Sequence, residues 1–337
     1  MTAATTAPSI DVVAIGNAIV DIIGRCDDAF LARHKLAKGS MQLADWDAVA
    51  RLYQDMGPGI EISGGSAANT MVGVASFGGK AAFVGKVADD DFGRIFAHDI
   101  AAAGVTFATK PAGNASAPTA RSLVLVTPDG ERTMNTFLGV SPELDHGEVL
   151  PELIASAKIV YLEGYLFDRP AAKAAFRQSA AVASKAGRKV ALSLSDAFCV
   201  DRHRHEFREL IRDEVDILFA NEAEIKSLYQ VEDFEAAAAH IARDSVLAVL
   251  TRGAKGSVVL SGGKSIAIHP EMVAEVVDTT GAGDLYAAGF LYGLAHGHDH
   301  EVCGRLASLA AAEIITHLGA RPATSLKQIA LHKGIKI

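Results

Sequence analysis

The segment Asp278-Thr-Thr-Gly-Ala-Gly-Asp284 combines small residues with carboxylates in a way that suits phosphate chemistry. It follows the mostly apolar run at residues 273–277 and precedes a helical pattern, so Gly281-Ala-Gly283 is predicted at a strand-to-helix junction. Backbone N–H groups at a helix N-terminus bind anions when no side chain is in the way. A carboxylate beside a phosphate has no binding advantage, but Asp284 can accept the proton of a hydroxyl that attacks phosphorus. The segment therefore favours phosphoryl transfer.

The same segment has a simpler interpretation, in which Asp278 and Asp284 are helix-capping carboxylates and the glycines shape a turn. Two other phosphate motifs are excluded by their spacing. The sequence Gly-Gly-Lys-Ala at 78–81 lacks the spacing and the hydroxyl of G-x-x-x-x-G-K-[ST], and Tyr286 stands where a dinucleotide fingerprint has its third glycine. A Walker ATPase and a Rossmann dehydrogenase are therefore disfavoured.

Two further segments carry polar groups that suit a hydroxylated ligand. The run Ile-Ser-Gly-Gly-Ser-Ala-Ala-Asn at 62–69 precedes a predicted helix; its glycines let a ligand approach the backbone, and Asn69 can hydrogen-bond a hydroxyl. Asn17 and Asp21 follow the first predicted strand, and an amide and a carboxylate at a strand end suit a vicinal diol. The alternative for residues 62–69 is a plain capped turn at the start of a helix. The alternative for Asn17 and Asp21 is a solvated loop.

Composition disfavours several classes of protein. The chain has 337 residues, 50% of them hydrophobic, and Lys+Arg 32 against Asp+Glu 40 gives a formal net charge of −8, which disfavours nucleic-acid binding as the main role. The cysteines Cys26, Cys199 and Cys303 form no C-x-x-C pair, which indicates a reducing, cytoplasmic environment rather than a disulfide framework or a zinc site. The N-terminus lacks the pattern of a signal peptide, and no apolar run reaches the roughly 18 residues that a membrane helix needs.

Short apolar runs alternate with longer amphipathic segments along most of the chain. Such runs suit parallel strands covered on both faces, and they predict strands at 12–15, 159–162, 190–194, 217–219, 246–250 and 258–260. The other segments predict helices at 67–77, 92–103, 171–185, 206–213, 222–229, 236–243, 284–296 and 301–317. The alternation predicts a three-layer α/β/α sandwich that occupies residues 1–337 as a single domain.

Segments of about 16–43 and 106–137 break this pattern, because polar and apolar residues alternate in them. Residues 122–127 and 131–136 read as the arms of a hairpin around the turn Pro-Asp-Gly at 128–130. A small sheet of such strands, standing off the α/β body, would act as a lid.

Four ordered motifs resemble those of the PfkB (ribokinase-like) family of sugar and nucleoside kinases. Residues 278–284 resemble the family's C-terminal signature, and residues 64–69, continued by 85–93, its N-terminal signature. Asn221-Glu-Ala-Glu224 is similar to the N-x-x-E motif, and Thr251-Arg-Gly253 with Gly256 to the T-x-G-x-x-G nucleotide loop. The resemblance implies a ribokinase-like α/β/α sandwich with a small β-sheet lid.

Within that family, residues 161–165, 192–198 and 215–221 resemble adenosine kinases more than ribokinases or fructokinases. The counterpart of residues 192–198 reads L-N-L-S-A-P-F in adenosine kinases, and its phenylalanine, Phe198 here, helps to enclose the base. Ser193 and Asp196-Ala197 depart from that pattern. The resemblance implies an ATP-dependent kinase of a nucleoside 5′-hydroxyl, with adenosine as the expected acceptor. A sugar kinase (ribokinase, fructokinase or 2-keto-3-deoxygluconate kinase) is the alternative.

The resemblance also implies roles for single residues. Asp284 is the general base, and backbone N–H groups of Gly281, Ala282 and Gly283 form the anion hole for the transferring phosphoryl group. Acceptor contacts are implied for Asn17, Asp21, Gln42, Gly64, Gly65, Asn69, Arg132 and Phe198. Contacts with ATP are implied for Asn221, Thr251, Gly253, Gly256 and Thr279, and Glu224 would hold Mg²⁺ through water.

The implied partners are small molecules: ATP, Mg²⁺ and a nucleoside or sugar, with no nucleic acid and no membrane. In parts of the family a monovalent cation such as K⁺ supports the anion hole. The sequence leaves the use of K⁺ open here, as it does the choice between a monomer and a homodimer.

Overall fold

The computed structural model describes residues 7–244 and 246–337, and its strands form two sheets. The strands are β1 (Ile10–Ile15), β2 (Ile19–Arg25), β3 (Met41–Leu43), β4 (Gly59–Gly64), β5 (Ala81–Val84), β6 (Val105–Phe107), β7 (Ala120–Val126), β8 (Arg132–Phe137), β9 (Ala157–Glu163), β10 (Lys189–Ser193), β11 (Ile217–Asn221), β12 (Leu247–Thr251), β13 (Ser257–Ser261) and β14 (Lys264–Ile268).

The helices are α1 (Asp28–Arg33), α2 (Trp46–Asp55), α3 (Ser66–Ser76), α4 (Asp91–Ala102), α5 (Pro151–Ser156), α6 (Pro170–Lys185), α7 (Ala197–Asp213), α8 (Glu222–Tyr229), α9 (Phe234–Ile241), α10 (Ala282–Ala295), α11 (His300–Ile314) and α12 (Leu326–His332). Several of them begin where an aspartate accepts a hydrogen bond from a backbone N–H of the first turn. These caps are Asp27, Asp45, Asp90, Asp196, Asp233 and Asp299.

The larger sheet has nine strands in the order β14-β13-β12-β11-β10-β9-β1-β5-β6, with β13 and β14 antiparallel to their neighbours and the rest parallel. Successive residues of β1 face opposite sides, since Val12 and Ala14 join one buried cluster with α3 and α10, whereas Val13 and Ile15 join another with α6 and α7. Helices therefore cover both faces, which is why the strands are apolar throughout. The predicted three-layer α/β/α sandwich is confirmed.

The smaller sheet, called the lid below, has five strands in the order β3-β8-β7-β2-β4. Strands β7 and β8 form the predicted hairpin, with Arg121 opposite Phe137 and Val126 opposite Arg132. Gly130 in the turn has a φ of +84°, a conformation that glycine adopts without strain. Helix α2 packs on the hairpin, where the ring centroids of Trp46 and Phe137 are 5.5 Å apart.

Some element boundaries differ from the sequence-based predictions. Strand β6, which overlaps the start of the segment expected in the lid, extends the larger sheet beside β5. Strand β4, outside the expected lid segments, pairs with β2 at the edge of the lid. Residues 273–277 form no strand; the N–H of Val277 instead donates to the carbonyl of Ile315 at the end of α11. Which strand pairs with which depends on distant partners, and local hydrophobic patterns do not contain that information.

Helix α7 begins at Ala197 rather than at residue 206, because Asp196 caps it there through the N–H of Cys199. The backbone of α7 is non-helical at His203, and only the part of the helix after this kink was predicted from the sequence. Within residues 7–244 and 246–337, no helix is long and apolar enough to cross a bilayer. Residues 1–6, part of the segment that lacks a signal-peptide pattern, lie outside the described ranges.

Candidate active site

A cavity of about 610 Å³ opens between the lid and the edge at which the parallel strands of the larger sheet end. The last residues of four neighbouring strands line it: Glu163, Ser193, Asn221 and Thr251. The lid lines it with apolar side chains: Ile19, Met41, Leu43 and Met134. Gly281, Gly283 and Asp284, at the start of α10, complete the wall. Ligands of open α/β sheets bind at this carboxyl edge.

Asp284 is held in a defined orientation by two side chains of α3. The hydroxyl of Ser66 donates to Oδ1 at 2.6 Å, and Nδ2 of Asn69 donates to Oδ2 at 3.1 Å. Burial raises the pKa of Asp284 above its ordinary value, while these hydrogen bonds and the charge of Arg321 oppose the rise. Oδ1 of Asn69 is buried without a hydrogen-bond partner in the described chain, and Asn69 lies beside the carboxylate without lining the cavity.

The start of α10 lies where the sequence predicts an anion site. Gly281 has a φ of +77°, and a Cβ there would lie 2.8 Å from the Cβ of Ala320, so the turn requires glycine. The N–H of Ala282 donates to the carbonyl of Thr279 at 3.2 Å. The N–H groups of Gly283 and Asp284 belong to the first turn, where a helix offers no internal acceptor. These two groups, rather than that of Ala282, are therefore the ones left available to a ligand at the helix start.

Asp278 joins the loop before α10 to the lid. Its Oδ1 accepts from the N–H of Thr280 at 2.9 Å, and its Oδ2 accepts from the N–H of Gly319 at 3.1 Å. Nη1 of Arg132, on β8, donates to the same Oδ2 at 2.5 Å, and both side chains of this ion pair are buried. Arg132 is among the residues expected to contact the acceptor; the structure pairs its guanidinium with Asp278, in the loop before α10.

Glu163 is a buried carboxylate to which the sequence analysis assigned no role. Its Oε1 accepts from the N–H and Nδ2 of Asn17, at 3.2 and 2.7 Å, and its Oε2 accepts from the N–H of Ala67 at 2.8 Å. Burial raises the pKa of Glu163 to about 7. Glu163 thereby orients Asn17, whose side chain lines the cavity with it. In the sequence, the one sign of such a residue is a glutamate directly after the apolar run at residues 159–162.

The glycines at 64 and 65 make room for the polar groups predicted to bind the acceptor. A Cβ on Gly64 would lie 2.2 Å from Oδ2 of Asp21, and a Cβ on Gly65, whose φ is +96°, would lie 2.3 Å from the carbonyl oxygen of Asn17. Burial raises the pKa of Asp21 to about 6, against the opposing charges of Arg321 and Arg132. The structure therefore brings Asn17, Asp21 and the β4–α3 junction together.

Arg321 is a second functional residue that the sequence analysis missed. It lies between α11 and α12, and its guanidinium donates to the backbone carbonyls of Ser63 and Ala68, which flank the β4–α3 junction. No local pattern around residue 321 signals this contact, because the partners are more than 250 residues earlier in the chain.

Four of the five residues predicted to contact ATP lie at or just after the ends of β11 and β12, and the fifth, Thr279, lies in the loop before α10. Asn221 and Glu224 form a capping box on α8: Oδ1 of Asn221 accepts from the N–H of Glu224, and Oε2 of Glu224 accepts from the N–H of Asn221, both at 2.9 Å. Both line the cavity with Thr251. Gly253, Gly256 and Thr279 are not among the described residues that line the cavity. The two glycines, with φ of +57° and +82°, shape the turn between β12 and β13.

The donor set fits Mg²⁺ held through water and phosphate rather than in a protein cage. In the described part of the chain no cluster of three or more His, Cys, Asp or Glu side chains could hold a metal ion. Glu224 and Asp196 place two carboxylates in the cavity wall. Mg²⁺ retains several waters and is commonly held by one or two carboxylates together with substrate phosphates. Glu224 thus fits the predicted water-mediated role.

Of the two lid and α7 residues expected to contact the acceptor, Phe198 lines the cavity and Gln42 does not. Phe198, in the first turn of α7, lines the cavity and leaves 77% of its surface exposed. Met41 and Leu43 of β3 also line the cavity, whereas Gln42 between them donates to Oδ1 of Asn135 at 2.6 Å. Neighbouring strand residues face opposite ways, so Gln42 supports the lid from behind the cavity surface.

Comparisons with known proteins agree with this geometry. Residues 61–327 match the family described as "pfkB family carbohydrate kinase". A structure of a probable sugar kinase protein from Rhizobium etli is 50% identical, with a TM-score of 0.91, covering 98% of this chain and 100% of that one. A structure of adenosine kinase from Sinorhizobium meliloti is 51% identical, with a TM-score of 0.89, covering 96% and 99%. Adenosine kinase of Saccharomyces cerevisiae is 28% identical, covering 93% of this chain and 96% of that protein. The chain belongs to the PfkB family of carbohydrate kinases.

Proposed function

We propose that the protein transfers the γ-phosphoryl group of ATP to the 5′-hydroxyl of adenosine, forming AMP and ADP. The observation that carries the proposal is Asp284, which Ser66 and Asn69 orient in the cavity wall at the start of α10. A fixed carboxylate next to free helix N–H groups suits an attacking hydroxyl on one side and a phosphoryl group on the other.

The protein groups have separate tasks in this reaction. The 5′-hydroxyl oxygen attacks the γ-phosphorus in line with the departing ADP oxygen, and Asp284 takes the proton of that hydroxyl. The N–H groups at the start of α10 stabilise the charge on the transferring group. Asn17 and Asp21 bind the ribose hydroxyls, with Glu163 holding Asn17 in place. Mg²⁺ supplies positive charge at the ATP phosphates when bound, with Glu224 and Asn221 orienting its waters.

The wall of the acceptor side favours a nucleoside over a free sugar. Met41, Leu43, Met134 and Phe198 present apolar surface to the cavity, and a planar base buries such surface well whereas a free sugar does not. The likeness to the Sinorhizobium meliloti adenosine kinase supports this acceptor. The near-equal likeness to the Rhizobium etli probable sugar kinase supports a sugar as the second candidate.

The test is ADP release from MgATP with a panel of acceptors: adenosine, inosine, guanosine, cytidine, ribose, fructose and 2-keto-3-deoxygluconate. We expect kcat/KM to be highest for adenosine, because the base adds contacts that a sugar lacks. A free sugar with the highest kcat/KM would replace adenosine as the acceptor and leave the kinase chemistry intact. Release of ADP without any acceptor dependence would contradict the proposal as a whole.

Activity should be lost on the acid side as Asp284 becomes protonated. Only the ionised carboxylate accepts a proton, and burial raises the pKa of Asp284, so kcat/KM for adenosine is full above that pKa and falls as the pH decreases through it. The midpoint should therefore lie above the ordinary aspartate value of about 4. Initial rates across pH, with circular dichroism as the control for unfolding, measure it. Rates that stay constant down to about pH 4 would contradict this assignment.

Phe198→Ala should weaken adenosine binding while leaving the chemistry largely intact. Loss of the ring removes apolar contact with the base, so KM for adenosine should rise roughly tenfold with a small change in kcat. KM for ATP serves as an internal reference and should stay constant. Leu331→Ala, at an exposed position on α12, is the matched control. An unchanged KM for adenosine would remove Phe198 from the acceptor site.

A further inference from the structure

Arg321 is half-buried, and its guanidinium is directed at backbone carbonyls. Its Nε donates to the carbonyl of Ser63 at 3.0 Å, its Nη1 to the carbonyl of Ala68 at 3.2 Å, and its Nη2 to the hydroxyl of Ser63 at 2.9 Å. Ser63 is in β4 and Ala68 is in α3. One side chain therefore joins both sides of the β4–α3 junction.

The segment held by Arg321 is the one that orients Asp284. Ser66 lies between the two carbonyls that Arg321 binds, and Asn69 follows directly after Ala68. Ser66 and Asn69 donate to the two oxygens of Asp284. A shift of the junction would move both donors together, and misplacement of a catalytic group by about 1 Å costs on the order of a hundredfold in rate.

The charge of Arg321 also acts on Asp284. Burial lowers the pKa of Arg321 to about 10, so the guanidinium remains charged at neutral pH. No ion pair with a carboxylate involves Arg321 among the described residues, whereas Arg132 is paired with Asp278. The ionisable groups that share this environment with Arg321 and Asp284 are Asp21, Asp99, Arg132, Tyr161, Glu163 and Tyr165. Arg321 thus offsets a surplus of carboxylates.

We propose that Arg321 is a positioning residue for phosphoryl transfer, which fixes the β4–α3 junction, and with it the two side chains that hold Asp284, and which supplies a positive charge near that carboxylate. The inference rests on the proposed role of Asp284 as general base. It applies to a nucleoside and to a sugar acceptor alike, because both present a hydroxyl to the same carboxylate.

The direct test is the titration of Asp284 in protein labelled with ¹³C at the aspartate carboxyl carbons, with the resonance assigned from Asp284→Asn. In Arg321→Met the midpoint should rise by roughly one pH unit, because a nearby opposite charge is lost. Arg321→Lys keeps the charge and loses the planar fork, so its midpoint should stay near that of the unaltered protein. In Arg321→Met, kcat should fall roughly tenfold or more, with the acid limb of its pH profile displaced upward.

Asp99→Asn is the matched structural control. Oδ2 of Asp99 accepts from the N–H and hydroxyl of Ser63, so this variant loosens the same junction without removing a positive charge. It should lower the thermal midpoint without raising the Asp284 midpoint. An Arg321→Met protein with an unmoved Asp284 midpoint would overturn the inference. If Arg321→Met does not fold, Arg321→Lys decides: a raised Asp284 midpoint despite the retained charge would equally overturn it.

The titration also separates this inference from the proposed function. It is measured without substrate, so the failure of every acceptor in the panel would contradict the proposed function and leave the result for Arg321 standing. A normal acceptor profile together with an unmoved Asp284 midpoint would leave the proposed function standing and refute the role of Arg321.

Discussion

Asp284→Asn is expected to lower kcat roughly a thousandfold, because the amide cannot accept the proton of the acceptor hydroxyl. The dissociation constant for adenosine should change little. The amide has the size of the carboxylate, and the hydroxyl of Ser66 can still donate to its oxygen. The new NH₂ group then faces Nδ2 of Asn69, and a flip of the Asn69 amide presents its unpartnered Oδ1 as the acceptor. Coupled detection of ADP measures kcat, and isothermal titration calorimetry measures adenosine binding.

The control for this variant is Asp299→Asn, which makes the same chemical change at the exposed cap of α11. It should leave kcat and adenosine binding unchanged. Asp284→Asn with full phosphotransfer would exclude Asp284 as the general base. Asp284→Asn that loses adenosine binding to the same extent as kcat would assign the carboxylate to acceptor binding instead of proton transfer.

The second large effect concerns stability: Asp278→Ala should lower the free energy of unfolding by about 3–5 kcal/mol. The change leaves the buried charge of Arg132 without its partner and removes the acceptor for the N–H groups of Thr280 and Gly319. Urea denaturation followed by circular dichroism measures the loss. Activity should fall as well, because the same carboxylate shapes the loop before α10.

A double-mutant cycle separates the ion pair from the other contacts of Asp278. Replacing both partners, in Asp278→Ala with Arg132→Met, should recover part of the stability, because no unpaired charge then remains buried. The N–H groups of Thr280 and Gly319 stay unsatisfied, so recovery should be incomplete. Losses that simply add in the double variant would show that the Arg132–Asp278 pair contributes no coupling energy.

The local sequence carried enough information to predict where the candidate active site lies. The order of small residues and carboxylate at 278–284 predicts a helix start with an anion site and a base, and the structure places Gly281, Gly283 and Asp284 together in the cavity wall. The larger sheet was predictable in the same way, since strands covered on both faces are apolar throughout and helices have a longer period. Asn17, Asp21 and Asn69 were identified as polar groups because each interrupts or follows an apolar element.

Tertiary structure alone decided what surrounds the base. Arg321 reaches the β4–α3 junction from the far end of the chain, and Glu163 becomes an orienting group for Asn17 when β9 pairs beside β1. Strand β4 enters the lid through its pairing with β2, and Arg132 is drawn to Asp278. These contacts join residues distant in sequence, and the free energy that each of them contributes depends on desolvation inside the folded protein. Hydrophobic periodicity and motif spacing report only neighbours along the chain, so they indicate Asp284 as the candidate base but not the charges and hydrogen bonds that hold it in place.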